Sequence, residues 1–232
     1  MSSAQVNLLL EGTLFTIVIA LGGAALGLVV GFAAGLARTS ESKALRAIGF
    51  LYVEIFRGAP VLVLAFWFIY ALPALGWQLV PMWAGMLAVG LNIAAYAAEV
   101  VRGAIRAVPV GQTEAAIALN LSRAQRNRRV IIPQALVAMI PPFSNNLIEL
   151  MKATAVVSVV AIPELTFSAQ LIRIGTGNTA AVFGGLLIGY GVIAVLFTVV
   201  MRTVERRSAR SVGREPAPGF WLAIRRRPEV SA

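Results

Sequence analysis

Cysteine, histidine and aspartate are all missing from the 232-residue sequence. Without cysteine there are no disulfides, zinc–thiolate sites or thiol nucleophiles. Without histidine the commonest general base and metal ligand is gone. All ten acidic residues are glutamate. Lysine occurs only at Lys43 and Lys152, and no Gly-Lys-Ser/Thr exists, so the chain holds no phosphate-binding P-loop. If ATP is used, another chain hydrolyses it. No metal site and no cofactor is expected, and an intramembrane enzyme would be left with a Ser/Lys pair alone.

Charge is scarce as well. Charged residues are 13% of the chain, about half the usual share, against 59% hydrophobic residues and a mean hydropathy of +0.83. This excludes a disordered chain, a collagen and an ordinary soluble enzyme. The apolar residues are gathered into runs long enough to cross a bilayer, which takes about 20 residues. The runs are Gly12–Ala37, Ile48–Leu72 (interrupted at Arg57-Gly58-Ala59-Pro60), Val80–Val101, Val130 to about Ala161 (broken by Pro141-Pro142 and Lys152), and Val182–Val200. The reading is an all-α polytopic membrane protein with about five transmembrane helices. Residues 1–205 form the membrane domain and 206–232 a basic cytoplasmic tail.

Sidedness follows from the cations. Three basic residues lie in the first loop, six in 102–129 and eight from Arg202 onward; a five-span chain puts all seventeen on one side. Arg57, Lys152 and Arg173 are the exceptions. The N-terminus is therefore expected outside and the C-terminus in the cytoplasm. An uncharged beginning argues for a retained span rather than a cleaved signal peptide. The net charge of +10 belongs to loops that orient insertion and touch anionic membrane lipid, so no nucleic acid is expected as a partner. The segment 219–227 reads either as an interfacial anchor or as a solvated end.

Two patterns remain open on physical grounds. Gly23, Gly27, Gly31 and Gly35 form a smooth stripe, for packing within the chain or between subunits. Between the third and fourth spans, Gly111 allows a turn and Gln112 to Leu119 form a short helix. Glu114 would sit in its first turn, and Ala115 and Ala116 give a face small enough for a groove. Asn120 can take the left-handed conformation that stops a helix. Such a segment is either a docking plug or a plain connecting loop.

Several linked motifs then stand in order: Glu54-Ile55-Phe56-Arg57-Gly58-Ala59-Pro60, Ala98-Glu99-Val100-Val101-Arg102-Gly103, Gly111-Gln112-Thr113-Glu114-Ala115-Ala116, Ile132-Pro133-Gln134-Ala135, and Pro141-Pro142 through Lys152-Ala153-Thr154 to Pro163-Glu164-Leu165. Over about residues 10 to 205 the chain resembles the membrane subunits of bacterial ABC importers, in the polar amino acid branch that handles histidine, glutamine, arginine and opines. The resemblance implies that 111–120 is the EAA loop, a cytoplasmic coupling helix on which Gly111, Gln112, Glu114, Ala115, Ala116, Leu119 and Asn120 meet an ATPase. It implies two ATPase subunits, an extracytoplasmic amino-acid-binding protein and a second copy or a paralogue of the permease. The place would be the bacterial cytoplasmic membrane, and the mechanism alternating access with no chemistry in this chain. It also implies that the stretch around Lys152 lines the path. The chain departs from the family with Asn120 where glycine is usual, Ala153 where aspartate is frequent, and Asn146 where many members carry an acid.

Ionisable residues inside spans are functional candidates. Glu54 and Arg57, beside Gly58 and Pro60, are read as a pair that fixes a helix break, and Glu99 with Arg102 as a structural pair. Asn145, Asn146, Glu149, Lys152 and Thr154 are too many polar groups for a lipid face and are read as the substrate path. Glu149 and Lys152 can neutralise one another, so the cargo is expected to be a neutral or acidic polar amino acid. The alternative function is a stand-alone secondary transporter or channel using Glu54, Glu99 or Glu149.

Overall fold

The computed structural model describes residues 2–211, and among these every regular element is helical. Eight helices follow in order: α1 Ser3–Thr39, α2 Lys43–Gly58, α3 Val61–Ala74, α4 Pro81–Arg106, α5 Val110–Ala118, α6 Arg123–Val160, α7 Leu165–Thr176 and α8 Thr179–Ser211. Four of them (α1, α4, α6 and α8) are long and apolar enough to cross a membrane; α2 and α3, bent by 100° at their junction, make a fifth crossing if taken together. The expected five-span, all-helical class is therefore the observed one.

Helix ends are set by local chemistry. Ser2 and Gln5 form a capping box, so α1 begins nine residues before the apolar run does. Ser122 and Gln125 do the same for α6, which starts in the basic loop rather than near Val130. The stretch between the fourth and fifth apolar runs contains α7. Its N-cap is Glu164, whose carboxylate accepts from the Phe167 N–H. Pro141 and Pro142 do not break the fourth span, contrary to expectation; helix continues from Ile132 to Ala153. Proline is tolerated inside membrane helices because neighbouring helices and local adjustments re-satisfy the freed groups. The irregularities fall elsewhere: a π-helical turn at Asn127–Ile131 and a 3₁₀ stretch at Thr154–Val160. α8 continues past residue 205, so no break marks the expected start of the tail there; 212–232, with the 219–227 segment, lie outside the described residues.

The glycine stripe packs within the chain. Beside Gly23 lie Val89 and Gly90, beside Gly27 lie Gly90 and Ile93, beside Gly31 lie Ala94 and Ala97, and beside Gly35 lie Ala98 and Val101. The partners advance together, so α1 and α4 run parallel with their backbones nearly touching. A Cβ on Gly31 would stand 2.8 Å from the Ala94 carbonyl oxygen. α6 returns antiparallel against this pair. Its Leu150 and Met151 join Ile19, Val89, Ile162 and Leu165 in the main core, while Met139 packs with Val101 nearer the basic ends of α1 and α4. α8 lies at the edge and leaves Leu187, Ile188, Val195 and Val199 exposed.

Candidate functional site: a polar face across α4 and α6

The sharp bend between α2 and α3 places the first site residue. Pro60 has no N–H to give the Phe56 carbonyl, which a continuous helix would require. Asn92, halfway along α4, supplies it. Its Nδ2 donates to the Phe56 carbonyl at 2.8 Å and to the Ala59 carbonyl at 3.2 Å. Glu54 and Arg57 do form their pair, at 3.2 Å, but both are exposed on the last turns of α2. The carbonyls freed at the break are held by Asn92, which the sequence reading passed over. Gly58 ends α2 with open space around it, and Pro60 precedes α3.

Asn92 also lines a cavity of about 270 Å³ between α4 and α6, with Tyr96, Asn146 and Glu149 around an apolar floor of Val89 and Leu150. Two of the five expected path residues are thus brought together there. Asn146 also borders a second, apolar space of about 140 Å³ between α1, α4 and α6, and its Nδ2 is buried with no hydrogen-bond partner among the described residues. An orphaned donor of this kind costs about 1–3 kcal/mol unless water or a ligand accepts from it. Lys152 Nζ lies 2.7 Å from Glu149 Oε1, with both side chains more than half exposed. Asn145 is exposed on the same side of α6. Thr154 is separated from the group: it is fully buried, its hydroxyl spent on the Met151 carbonyl at 2.7 Å.

At the opposite charge extreme, Glu99 accepts from Arg102 at 2.6 Å and also from Arg38 at the end of α1. The pair expected from sequence is therefore a triad that ties α1 to α4. The only fully buried carboxylate among the described residues is Glu164. Tyr190 donates to it at 2.5 Å; Thr16 Oγ1 lies 3.4 Å from it, gives its proton to the Gly12 carbonyl at 3.0 Å and accepts from the Leu165 N–H. Glu164 joins α1, α7 and α8 at the end remote from the basic loops. No intramembrane carboxylate named in the alternative reading is free: Glu54, Glu99 and Glu149 each hold a cation three residues on.

The short helix α5 differs in register from expectation. It begins at Val110, so Gly111 lies inside it and Glu114 falls beyond its first turn. Asn120 is left-handed, with φ of +52°, and Leu121 N–H returns to the Ala116 carbonyl. Ala116 is buried against its own chain, and Gln112 accepts from Gln134 of α6 at 3.2 Å. The outward side carries Glu114 and Ala115 with Val110, Ile117 and Leu119, the last 74% exposed. Three uncovered apolar side chains on this nine-residue helix and its C-cap, among basic loops, form an exposed apolar patch of the kind that marks a contact surface.

Comparison with known proteins agrees with this architecture. The family model described as binding-protein-dependent transport system inner membrane component matches residues 23–213. The "Probable amino-acid ABC transporter permease protein y4tF" of Sinorhizobium fredii is 41% identical over 190 residues, covering 79% of this chain and 80% of that protein. The glutamine transport system permease protein GlnP of Escherichia coli K12 is 34% identical over 204 residues, covering 87% and 93%. A crystal structure of an amino acid ABC transporter with histidines superposes with a TM-score of 0.81 at 31% identity, over 87% of this chain and 94% of that one. The chain belongs to the binding-protein-dependent transport system inner membrane component family, and is a non-catalytic, multi-pass permease subunit of an ABC importer.

Proposed function

We propose that the cargo is a polar amino acid and that it passes along the α4–α6 face. The observation that carries this is Asn146: a polar side chain deep in a membrane helix, its amide donor unmet, beside a cavity that Asn92, Tyr96 and Glu149 also line. The cavity lies below the roughly 300–1,000 Å³ of sites for drug-sized molecules, which suits a small solute. Glu149 is neutralised by Lys152, so the lining offers amide and hydroxyl groups without a free carboxylate. A guanidinium or ammonium side chain would lose hydration there uncompensated, whereas an amide would not. The relatives named for amino-acid and glutamine transport support the class. Uptake of labelled glutamine or glutamate, measured with unlabelled competitors, tests it. Inhibition by arginine alone would overturn the choice.

The same face needs a partner. Glu149, Lys152 and Asn145 would be stranded against lipid in a single chain, so a second copy or a paralogue completes the path. An extracytoplasmic binding protein delivers the cargo. Two ATPase subunits meet α5 through Leu119, Ile117, Val110, Ala115 and Glu114, and the left-handed Asn120 fixes how the helix is presented. Leu119→Arg puts a charge in that contact without touching this chain's core. The expected result is loss of the ATPase from the purified complex while the spans still insert. An intact, transporting assembly would refute the docking surface.

A further inference from the structure

The basic ends of α1, α2 and α4 line an open cavity of about 430 Å³ that shares no residue with the α4–α6 cavity. Arg38, Lys43, Arg46, Arg102 and Arg106 line it, with Phe50 beneath the Arg38 guanidinium at 5.4 Å. Its charges do not balance. Glu99 serves both Arg38 and Arg102, and the neighbouring Glu41 is engaged by Arg123. Lys43, Arg46 and Arg106 have no carboxylate partner among the described residues; Arg46 reaches only the Ser40 carbonyl, at 3.0 Å. Five cations around one carboxylate call for an anion.

The surroundings choose which anion. Lys43 and Arg46 lie in the first turn of α2, and Arg102 and Arg106 in the last turns of α4, so the cavity sits where spans meet the basic surface. From there α2 runs toward the middle of α4, where Tyr52 and Phe56 reach Leu91 and Asn92. Its outer face carries Ile48, Leu51 and Ile55, all more than half exposed, at i, i+3 and i+7 on one side of the helix. A cationic mouth thus opens onto an apolar track leading into the membrane. Free phosphate would satisfy the mouth and leave the track uncovered. We propose that this cavity binds the phosphate headgroup of an anionic phospholipid, with an acyl chain along Ile48, Leu51 and Ile55. Cation clusters between spans at the membrane boundary hold such headgroups. The proposal is independent of the cargo and of the ATPase contact. It needs only that the basic ends of these helices lie at a membrane surface.

The test uses the purified importer complex in nanodiscs of phosphatidylethanolamine with graded phosphatidylglycerol, with retained lipid read by native mass spectrometry after delipidation. The variant is Lys43→Gln/Arg46→Gln/Arg106→Gln; the charge-matched control is Arg202→Gln/Arg206→Gln/Arg207→Gln on α8. Each cation near an anionic lipid surface is worth about fivefold in affinity, so the triple variant should bind phosphatidylglycerol roughly a hundredfold more weakly. The control should retain it. If the triple variant assembles poorly, Lys43→Gln alone should show the fivefold step. Equal retention by variant and wild type would overturn the proposal, and so would equal retention of phosphatidylethanolamine. Binding of inorganic phosphate with the same dependence on these residues but no lipid would reassign the cavity to a free anion. Loss of the ATPase from the triple variant with lipid retention unchanged would reassign it to an acidic protein partner.

Discussion

Asn92 shows how one side chain can set a bend that a proline only permits. Its amide supplies both carbonyls at the α2–α3 junction. Asn92→Leu keeps the volume and leaves two acceptors unmet, at about 1–3 kcal/mol each. The expected result is a complex that still inserts but melts several degrees lower in detergent, since about 1 kcal/mol moves a chain of this size by roughly 2–4 °C. Unchanged melting would mean that packing alone holds the bend. Glu164 is a second case. Glu164→Leu strips acceptors from Tyr190 and the Phe167 N–H at once, whereas Glu164→Gln keeps one carbonyl oxygen. The leucine variant is therefore expected to lose more stability than the glutamine variant, and equal losses would contradict the hydrogen-bond account. Asn146 differs because its buried amide donor meets no partner among the described residues, and in the proposed path that donor is left for the cargo. Asn146→Leu removes the unmet donor, so it should not lower melting, and it should raise the KM for uptake about tenfold, the equivalent of about 1.4 kcal/mol. A fall in melting with no change in KM would place Asn146 in the scaffold.

At the scale of elements, the α1–α4 pair is the backbone of the molecule. The stripe residues are not equivalent to other glycines. Gly31→Ala drives a Cβ to 2.5 Å from the Ala97 Cβ and 2.8 Å from a backbone oxygen that cannot move aside. Overpacking of this kind costs about 1–3 kcal/mol, and Gly31→Leu more. Gly103 is in the same helix pair but has nothing within 4 Å of its Cβ position. Gly103→Ala is expected to be neutral or slightly stabilising, since alanine is the better helix former by about 1 kcal/mol. Thermal melts of the two alanine variants separate stripe packing from glycine content. If both behave alike, the close approach of α1 and α4 does not limit stability.

At the scale of the whole molecule, helix directions and charges define one basic end. α1, α4 and α8 run toward it, and α6 runs away from it with Arg123, Arg126, Arg128 and Arg129 at its start. Single cysteines are clean probes in a chain that has none of its own. An impermeant thiol reagent on cells with a permeabilised outer membrane should label position 2 and spare position 123. Labelling at 123 from outside would invert the sidedness that the proposed docking on α5 requires.

Composition and periodicity by themselves determined a great deal: a helical membrane chain, five apolar crossings, the clustering of cations, and a stop at Asn120. These are local properties, written in runs of apolar residues and in one residue's tolerance of positive φ. The ordered motifs carried the family. Tertiary structure alone decided the rest, because each decision needed a partner distant in sequence. It turned the glycine stripe inward against Ala94, Ala97 and Ala98. It buried Ala116 within the chain, set Gln112 against Gln134 at the surface, and left Leu119 facing out. It removed Thr154 from the polar face and added Asn92 and Tyr96. Helical spacing tells which residues share a face, but not what that face meets. In a membrane chain, lipid, protein and an aqueous path all lie within one helix diameter, and only packing assigns each face to one of them.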